Sequence, residues 1–197
     1  MAAPPEKKTL RIGVLYEHTQ MTDLAGVDIL GNMSTKSVNL VATLEPRVSA
    51  LLPLSTPMEF LYISSTLEPS WTTPDMFVKP THTYANAPRD LDIIMLGGPD
   101  PAAAHEDSIT FLKKASKQTK WILTTCTGGM WLARAGVLDG KKATTNRMFV
   151  AKHAGEWFPK TEWLDQRWVV ADGEFEGAQI WTSGGAGCGE SYVSNTR

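Results

Sequence analysis

Cys126 stands in the run KWILTTCTGGMWLARAG, residues 120 to 136. Trp121, Ile122 and Leu123 read as a buried strand, and Thr127 to Ala135 as a helix with Met130, Trp131 and Leu132 to bury. The cysteine sits at the joint between them. Thiolate is the reactive form of cysteine, and the free N–H groups of a helix start favour it. This position therefore predicts a lowered thiol pKa and a nucleophile presented on a tight turn. The backbone N–H of Thr127, with that of Gly98 on a neighbouring turn, would hold negative charge developing on a substrate. Gly97 and Gly98 carry no side chains and would let backbone approach a ligand closely.

The elements that position these groups are strands alternating with helices. LRIGVLY, Leu10 to Tyr16, predicts a first strand, and Asp23 opens a short helical pattern after it, a place where an aspartate often serves as an N-cap. Residues 37 to 44, SVNLVATL, read as a strand. Residues 46 to 90 hold most of the prolines and read as hairpins or excursions at the rim, among them EFLYIS and MFVKPTHTY. Asp92 to Leu96 is a continuous apolar strand that turns at Gly97–Gly98–Pro99, and a helix follows over Ala102 to Lys117. Ala143 to Thr145 reads as a short strand before Asn146, and RWVVADGEFEGAQIWTSGG as a β-hairpin. Such alternation predicts a mostly parallel α/β sheet, whose ligands gather beyond the carboxyl ends of its strands. Asp23, Gly97–Gly98, Cys126 and Asn146 each follow a strand, which places all of them on one rim.

Composition narrows the function classes. The 197 residues fit one domain, expected over 9 to 197 behind a loose tail of residues 1 to 8. Hydrophobic residues make up 42% and charged residues 20%, enough for a core without disulfides. A formal net charge of −2 gives no electrostatic reason to expect nucleic acid. No run approaches membrane-spanning length, and the N-terminus does not resemble a signal peptide, so a cytoplasmic location is expected. Two cysteines and four histidines without ligand spacing predict no metal, and GG-P is not a dinucleotide fingerprint, so no cofactor is expected. His18, His82, His105 and His153 read as solvated, the seven tryptophans, Trp157, Trp163 and Trp168 included, as core, and Cys188 in GGAGCGES as incidental.

RIGVLYEHTQMTDLAGV, DIIMLGGPD, ILTTCTGGMWLARAGVLDGKKATTN and IWTSGGAG together resemble the DJ-1/PfpI superfamily, in order over residues 9 to 189. The resemblance implies a flavodoxin-like three-layer sandwich, usually a homodimer, with a nucleophilic cysteine on a strained elbow. It also implies that the acidic residue after the first strand, here Asp23, hydrogen-bonds that cysteine. Thr127 follows the cysteine where protease-like and chaperone-type glyoxalase members tend to have histidine. Asp23 with Cys126-Thr127-Gly128 looks like the isocyanide (isonitrile) hydratase branch, although Asn146 stands where that branch often has histidine. Members usually continue from the TSGG-G turn into a packed helix, and the run GCGESYVSNTR implies that this helix is short or missing.

The resemblance implies a small electrophilic substrate. In the hydratase reading, Cys126 adds to the terminal carbon of an isocyanide, giving a thioimidate that water converts to an N-substituted formamide. Asp23 would be protonated beside the thiolate and serve as proton donor, Thr127 would orient water or substrate, and Asn146 would bond substrate at the pocket wall. The alternatives are a glyoxalase-like enzyme acting on α-oxoaldehydes through the same cysteine, and a redox-sensing protein in which Cys126 is oxidised.

Overall fold

The computed structural model describes residues 7–100 and 104–188. The main-sheet strands are β1 (Leu10–Leu15), β2 (Met58–Ser64), β5 (His82–Thr83), β6 (Ile93–Leu96), β7 (Trp121–Thr124), β10 (Trp168–Asp172) and β11 (Gln179–Ser183). Two short pairs lie beside them: β3 (Ser70–Thr72) with β4 (Met76–Val78), and β8 (Lys142–Ala143) with β9 (Glu162–Trp163). Among the described residues the main sheet has the order β10-β11-β7-β6-β1-β2-β5. Every pairing in it is parallel except β10 against β11, the hairpin expected from the sequence.

Both faces of the sheet are buried, which explains its continuous apolar strands. Ile12, Val14, Ile93, Met95 and Leu123 point to one face, where Leu30 of helix α1 (Ala25–Asn32) packs on them. Leu15, Leu61, Ile63, Ile94, Leu96, Ile122 and Ile180 point to the other. That second face is covered by Phe111, Leu112 and Ala115 of helix α3 (Glu106–Ala115) and by Trp131 and Leu132 of helix α4 (Gly128–Arg134). Trp131 is fixed further by its indole N–H, which donates to Ser108 Oγ at 2.8 Å. Each of the larger apolar side chains, Ala115 apart, contributes about 1.5–3 kcal/mol by leaving water. The result is a flavodoxin-like three-layer sandwich with a mostly parallel central sheet, as expected.

Several local expectations are corrected. Residues 37 to 44 lie in a helix, α2 (Thr35–Leu44), whose start is capped by Ser34 Oγ accepting from Ser37 N at 3.2 Å. Their β-branched content suggested a strand, but Val38 and Ala42, four apart, are its half-buried side. EFLYIS is no excursion: it belongs to β2, in parallel register with β1 from Leu10↔Met58 to Leu15↔Ile63. The prolines that disguised it lie upstream, in a 3-10 segment over Pro46–Leu54. MFVKPTHTY does contain a hairpin arm, β4. The third helix begins at Glu106 rather than Ala102, which lies outside the described residues. Of the tryptophans read as core, Trp131 is 2% exposed, but Trp157 is 47% exposed and stacks on His153 at 4.8 Å. Trp157 closes a short helical stretch, α5 (Arg147–Lys152) and α6 (Ala154–Trp157).

Lys7 and Lys8, in the expected tail, reach the Pro53 and Ser55 carbonyls and the Asp92 carboxylate. The segment on which a final helix was judged short or missing, from residue 189 onward, lies outside the described residues. No helix among the described residues is long and apolar enough to cross a membrane.

Candidate active site

β7 ends at Thr124 and α4 begins at Gly128, leaving three residues to reverse the chain. Cys126 makes the reversal with φ of 55°, a left-handed conformation that costs a non-glycine residue about 1–2 kcal/mol. Its surroundings hold it there. Thr125 N donates to Leu96 O at 3.0 Å, Gly128 N to Thr125 O at 3.0 Å, and Thr145 Oγ1 to Cys126 O at 2.7 Å. Gly128 permits the close approach of α4 to β6, since a Cβ there would lie 2.8 Å from both Leu96 O and Gly97 O. The strained elbow implied by the family resemblance is thus present in the geometry.

The loop after β1 brings Asp23 to the same place. Thr72 donates its hydroxyl to Thr19 O, and Met21 N donates to Thr73 Oγ1 at 3.0 Å, so β3 fastens the loop from outside. Glu17, buried at the strand end, accepts from Ser65 N at 2.6 Å and fastens it from beneath. Asp23 is not the cap of α1. It lies in a 3-10 turn, Met21–Leu24, and its Oδ2 accepts from Gly98 N at 3.0 Å. Its other oxygen, Oδ1, is buried with no donor held on it. The Cys126 thiol and the Asp23 carboxyl are hydrogen-bonding neighbours.

Four further groups complete the constellation. Asn146 Nδ2 donates to Cys126 Sγ at 3.3 Å, while its Oδ1 accepts from Met148 N at 3.1 Å and caps α5. The Thr127 backbone N–H lies beside the sulfur and lowers its pKa. The Thr127 hydroxyl donates to Pro99 O at 2.6 Å. Gly98 is the hub: a Cβ there would lie 2.7 Å from Asp23 Oδ2 and Thr127 Oγ1, and 2.9 Å from Cys126 Cβ.

Burial sets the electrostatics. It pushes the Asp23 carboxyl up to about 6, against the lowering effect of the Gly98 N–H and the thiol. Burial also raises the Cys126 thiol, and the Asp23 charge raises it further; the Asn146 and Thr127 donors work the other way without prevailing. Above pH 6 the resting pair is thus a carboxylate beside a neutral thiol. This corrects the expectation of a thiol lowered by the helix start and of a protonated Asp23: desolvation outweighs two hydrogen bonds and a seven-residue helix.

The structure brings together Asp23, Gly98, Cys126, Thr127 and Asn146, as the strand-end rule placed them. Three expected roles change. Gly98 N is occupied by Asp23 and is not a free oxyanion donor. Gly97 is buried under Thr19 and Leu24, so its missing side chain serves packing of the Asp23 loop rather than a ligand. The Thr127 hydroxyl spends its proton on Pro99 O and retains only acceptor capacity. Thr145 was missed, although its place beside Asn146 in ATTN was a signal. The histidines stay out of this set of contacts: His18 lies against Trp71, His82 beside Thr81, His105 ahead of α3 and His153 on Trp157. Among the described residues no group of three or more His, Cys, Asp or Glu is arranged to hold a metal.

Comparison with known proteins agrees with this geometry. The sequence model of the DJ-1/PfpI family matches residues 49–192. A curated relative, the isonitrile hydratase of Pseudomonas putida, is 30% identical over 142 residues, covering 70% of this chain and 52% of the relative. The chain therefore spans about half the length of that protein. A ThiJ/PfpI family protein from Pseudomonas syringae superposes with a TM-score of 0.69 at 22% identity, over 97% of this chain and 70% of the other. Schizosaccharomyces pombe DJ-1 gives 0.64 at 14% identity, over 94% and 89%. Likeness at these identities shows the fold.

Proposed function

We propose, from the premise that this chain belongs to the DJ-1/PfpI family, that it is a cysteine-dependent hydratase converting isocyanides to N-substituted formamides. The observation that carries this reading is the pairing of Cys126 with a buried acid whose pKa is about 6, without histidine beside the sulfur. The name of the curated relative supports it.

The isocyanide carbon accepts both a nucleophile and a proton, which suits a thiol–carboxylate pair. Asp23 takes the thiol proton as the sulfur–carbon bond forms and delivers it to the same carbon, leaving a thioimidate, R–N=CH–S–Cys126. The Asn146 and Thr127 N–H groups stabilise sulfur as charge develops on it. Asp23, a carboxylate again, draws a proton from water as the oxygen attacks that carbon, and passes it to the nitrogen. Collapse breaks the carbon–sulfur bond as the hydroxyl proton passes to sulfur, releasing the formamide and the free thiol.

Purified protein is assayed with an aryl isocyanide and, in parallel, with methylglyoxal. The isocyanide is expected to give formamide, with turnover abolished in Cys126→Ala and reduced about 10²–10⁴-fold in Asp23→Asn. Turnover of neither substrate by folded protein overturns the reading; a hydroxy acid from methylglyoxal alone would replace it with the glyoxalase one.

A further inference from the structure

Cys188, which reads as incidental in the sequence, lies on the same rim as Cys126. β11 runs parallel to β7 with Thr182 opposite Thr124, and Ser183 Oγ donates to Thr124 O at 3.0 Å, so the two strands end side by side. Each then turns into a segment bearing a cysteine. The turn after β11 comes back against the segment that touches Cys126. A Cβ built on Gly184 would lie 3.7 Å from Cys188 Sγ and 3.8 Å from Thr145 O. Thr145 in turn donates to the Cys126 carbonyl, and Asn146, the next residue, to the Cys126 sulfur. The Cys188 thiol is thus separated from the neighbourhood of Cys126 by a glycine and one stretch of backbone.

Two further features suit a pair. Both thiols are free and half-buried rather than sealed in the core. The segment that carries Cys188 borders open space, since a Cβ on Gly185 or Gly187 would meet nothing within 4 Å, and Arg167 Nη2 donates to Gly187 O at 3.2 Å. A disulfide needs Cα atoms within about 7 Å, so closure requires this segment to shift towards Cys126.

We propose that Cys188 is the resolving partner of Cys126, and that hydroperoxides convert the two thiols into an intrachain disulfide. The Cys126 sulfur, losing its proton to Asp23, attacks one peroxide oxygen. A sulfur–oxygen bond forms, the oxygen–oxygen bond breaks, and the departing oxygen leaves as water or an alcohol after taking up that proton. The Cys188 thiol then attacks the sulfur of the sulfenic acid. The sulfur–sulfur bond forms, the hydroxyl leaves with the Cys188 proton as water, and two electrons have passed from the thiol pair to the peroxide. Closure removes the sulfur nucleophile and shields Cys126 from irreversible over-oxidation. The proposal needs only a reactive Cys126 and stands whether or not isocyanides are substrates.

The test treats the whole chain with one equivalent of hydrogen peroxide, then alkylates, weighs and digests it. The expected result is loss of both thiols together, a mass lower by two hydrogens, a linked peptide joining Cys126 to Cys188, and recovery of both thiols with a dithiol reductant. Cys188→Ser, treated with several equivalents of peroxide, should instead gain two or three oxygens at Cys126. The proposal is overturned if wild-type protein gains oxygen at Cys126 while Cys188 stays alkylatable, or if the only disulfide joins two chains. The wild-type peptide map decides the matter even if the variant folds poorly.

Discussion

At the residue scale, the proposed chemistry rests on the buried Asp23 carboxyl beside the half-buried Cys126 thiol. Asp23 is raised from an ordinary 3.8 to about 6 chiefly by burial. A carboxyl raised on folding makes the native state less stable as pH climbs through that range. Below about pH 3 both states are protonated and nothing is lost; above about pH 7 the loss is complete, about 2 kcal/mol after allowance for partial solvation. Asp23→Asn, which keeps an oxygen for the Gly98 N–H, should therefore be more stable than wild type at pH 8 and equal to it near pH 3, as read by denaturant unfolding. Turnover should rise through about pH 6 in wild type, because the carboxylate must accept the thiol proton, and that limb should vanish in the variant. Asn146 makes a separate contribution. Asn146→Ser keeps an oxygen to cap α5 but cannot reach the sulfur, so iodoacetamide alkylation at pH 7.5 should slow roughly tenfold, the size of a hydrogen bond to a charged group. The identities of Cys126 and Asp23 as candidates were legible in the sequence from their places after strands. Their charge states were not, because desolvation depends on the packing of the loop after β1 against Gly97, Gly98 and the elbow, which only the tertiary structure brings together.

At the scale of elements, Cys126 is held on an elbow because a strand and a helix meet too abruptly for ordinary backbone. The strain at Cys126 is sustained by contacts to β6, by the Thr145 hydroxyl and by the glycine that begins α4. Gly128→Ala would drive a methyl into two carbonyl oxygens 2.8 Å away. It should cost about 2–4 kcal/mol in chemical denaturation, the range of severe overpacking, and should lower activity more than it lowers Tm suggests. A variant as stable and active as wild type would show that the elbow does not depend on this approach. The joint itself was readable, since an apolar strand and a helix with Met130, Trp131 and Leu132 to bury flank the cysteine with no room for a loop. α2 was not: Val38, Val41 and Thr43 carry strand propensity, and the cap at Ser34 that commits the segment to a helix lies outside the apolar run. β2 was hidden similarly, because Pro46, Pro53 and Pro57 make its approach look irregular while its own pattern is that of a sheet strand.

At the scale of the whole molecule, a parallel sheet with both faces covered forces the loops that matter onto one edge. β1, β6 and β7 are neighbours in space but are separated in sequence by long crossovers, and only their parallel pairing places Asp23, Gly98 and Cys126 in contact. That much followed from alternation and the strand-end rule; the place of Cys188 did not, since its turn earns meaning only from the pairing of β11 with β7. The homodimer expected from the family resemblance is tested by sedimentation equilibrium, with the mass of two chains expected and that of one chain refuting it. The central claim is that Cys126 forms a covalent bond to the isocyanide carbon and that this bond lies on the path to product. The most direct measurement mixes the enzyme with an aryl isocyanide, quenches with acid at successive times, and follows both protein mass and formamide. The account predicts one isocyanide added on the peptide bearing Cys126, rising before the formamide and falling as substrate is exhausted. Formamide accumulating while Cys126 stays unmodified at every time would contradict it.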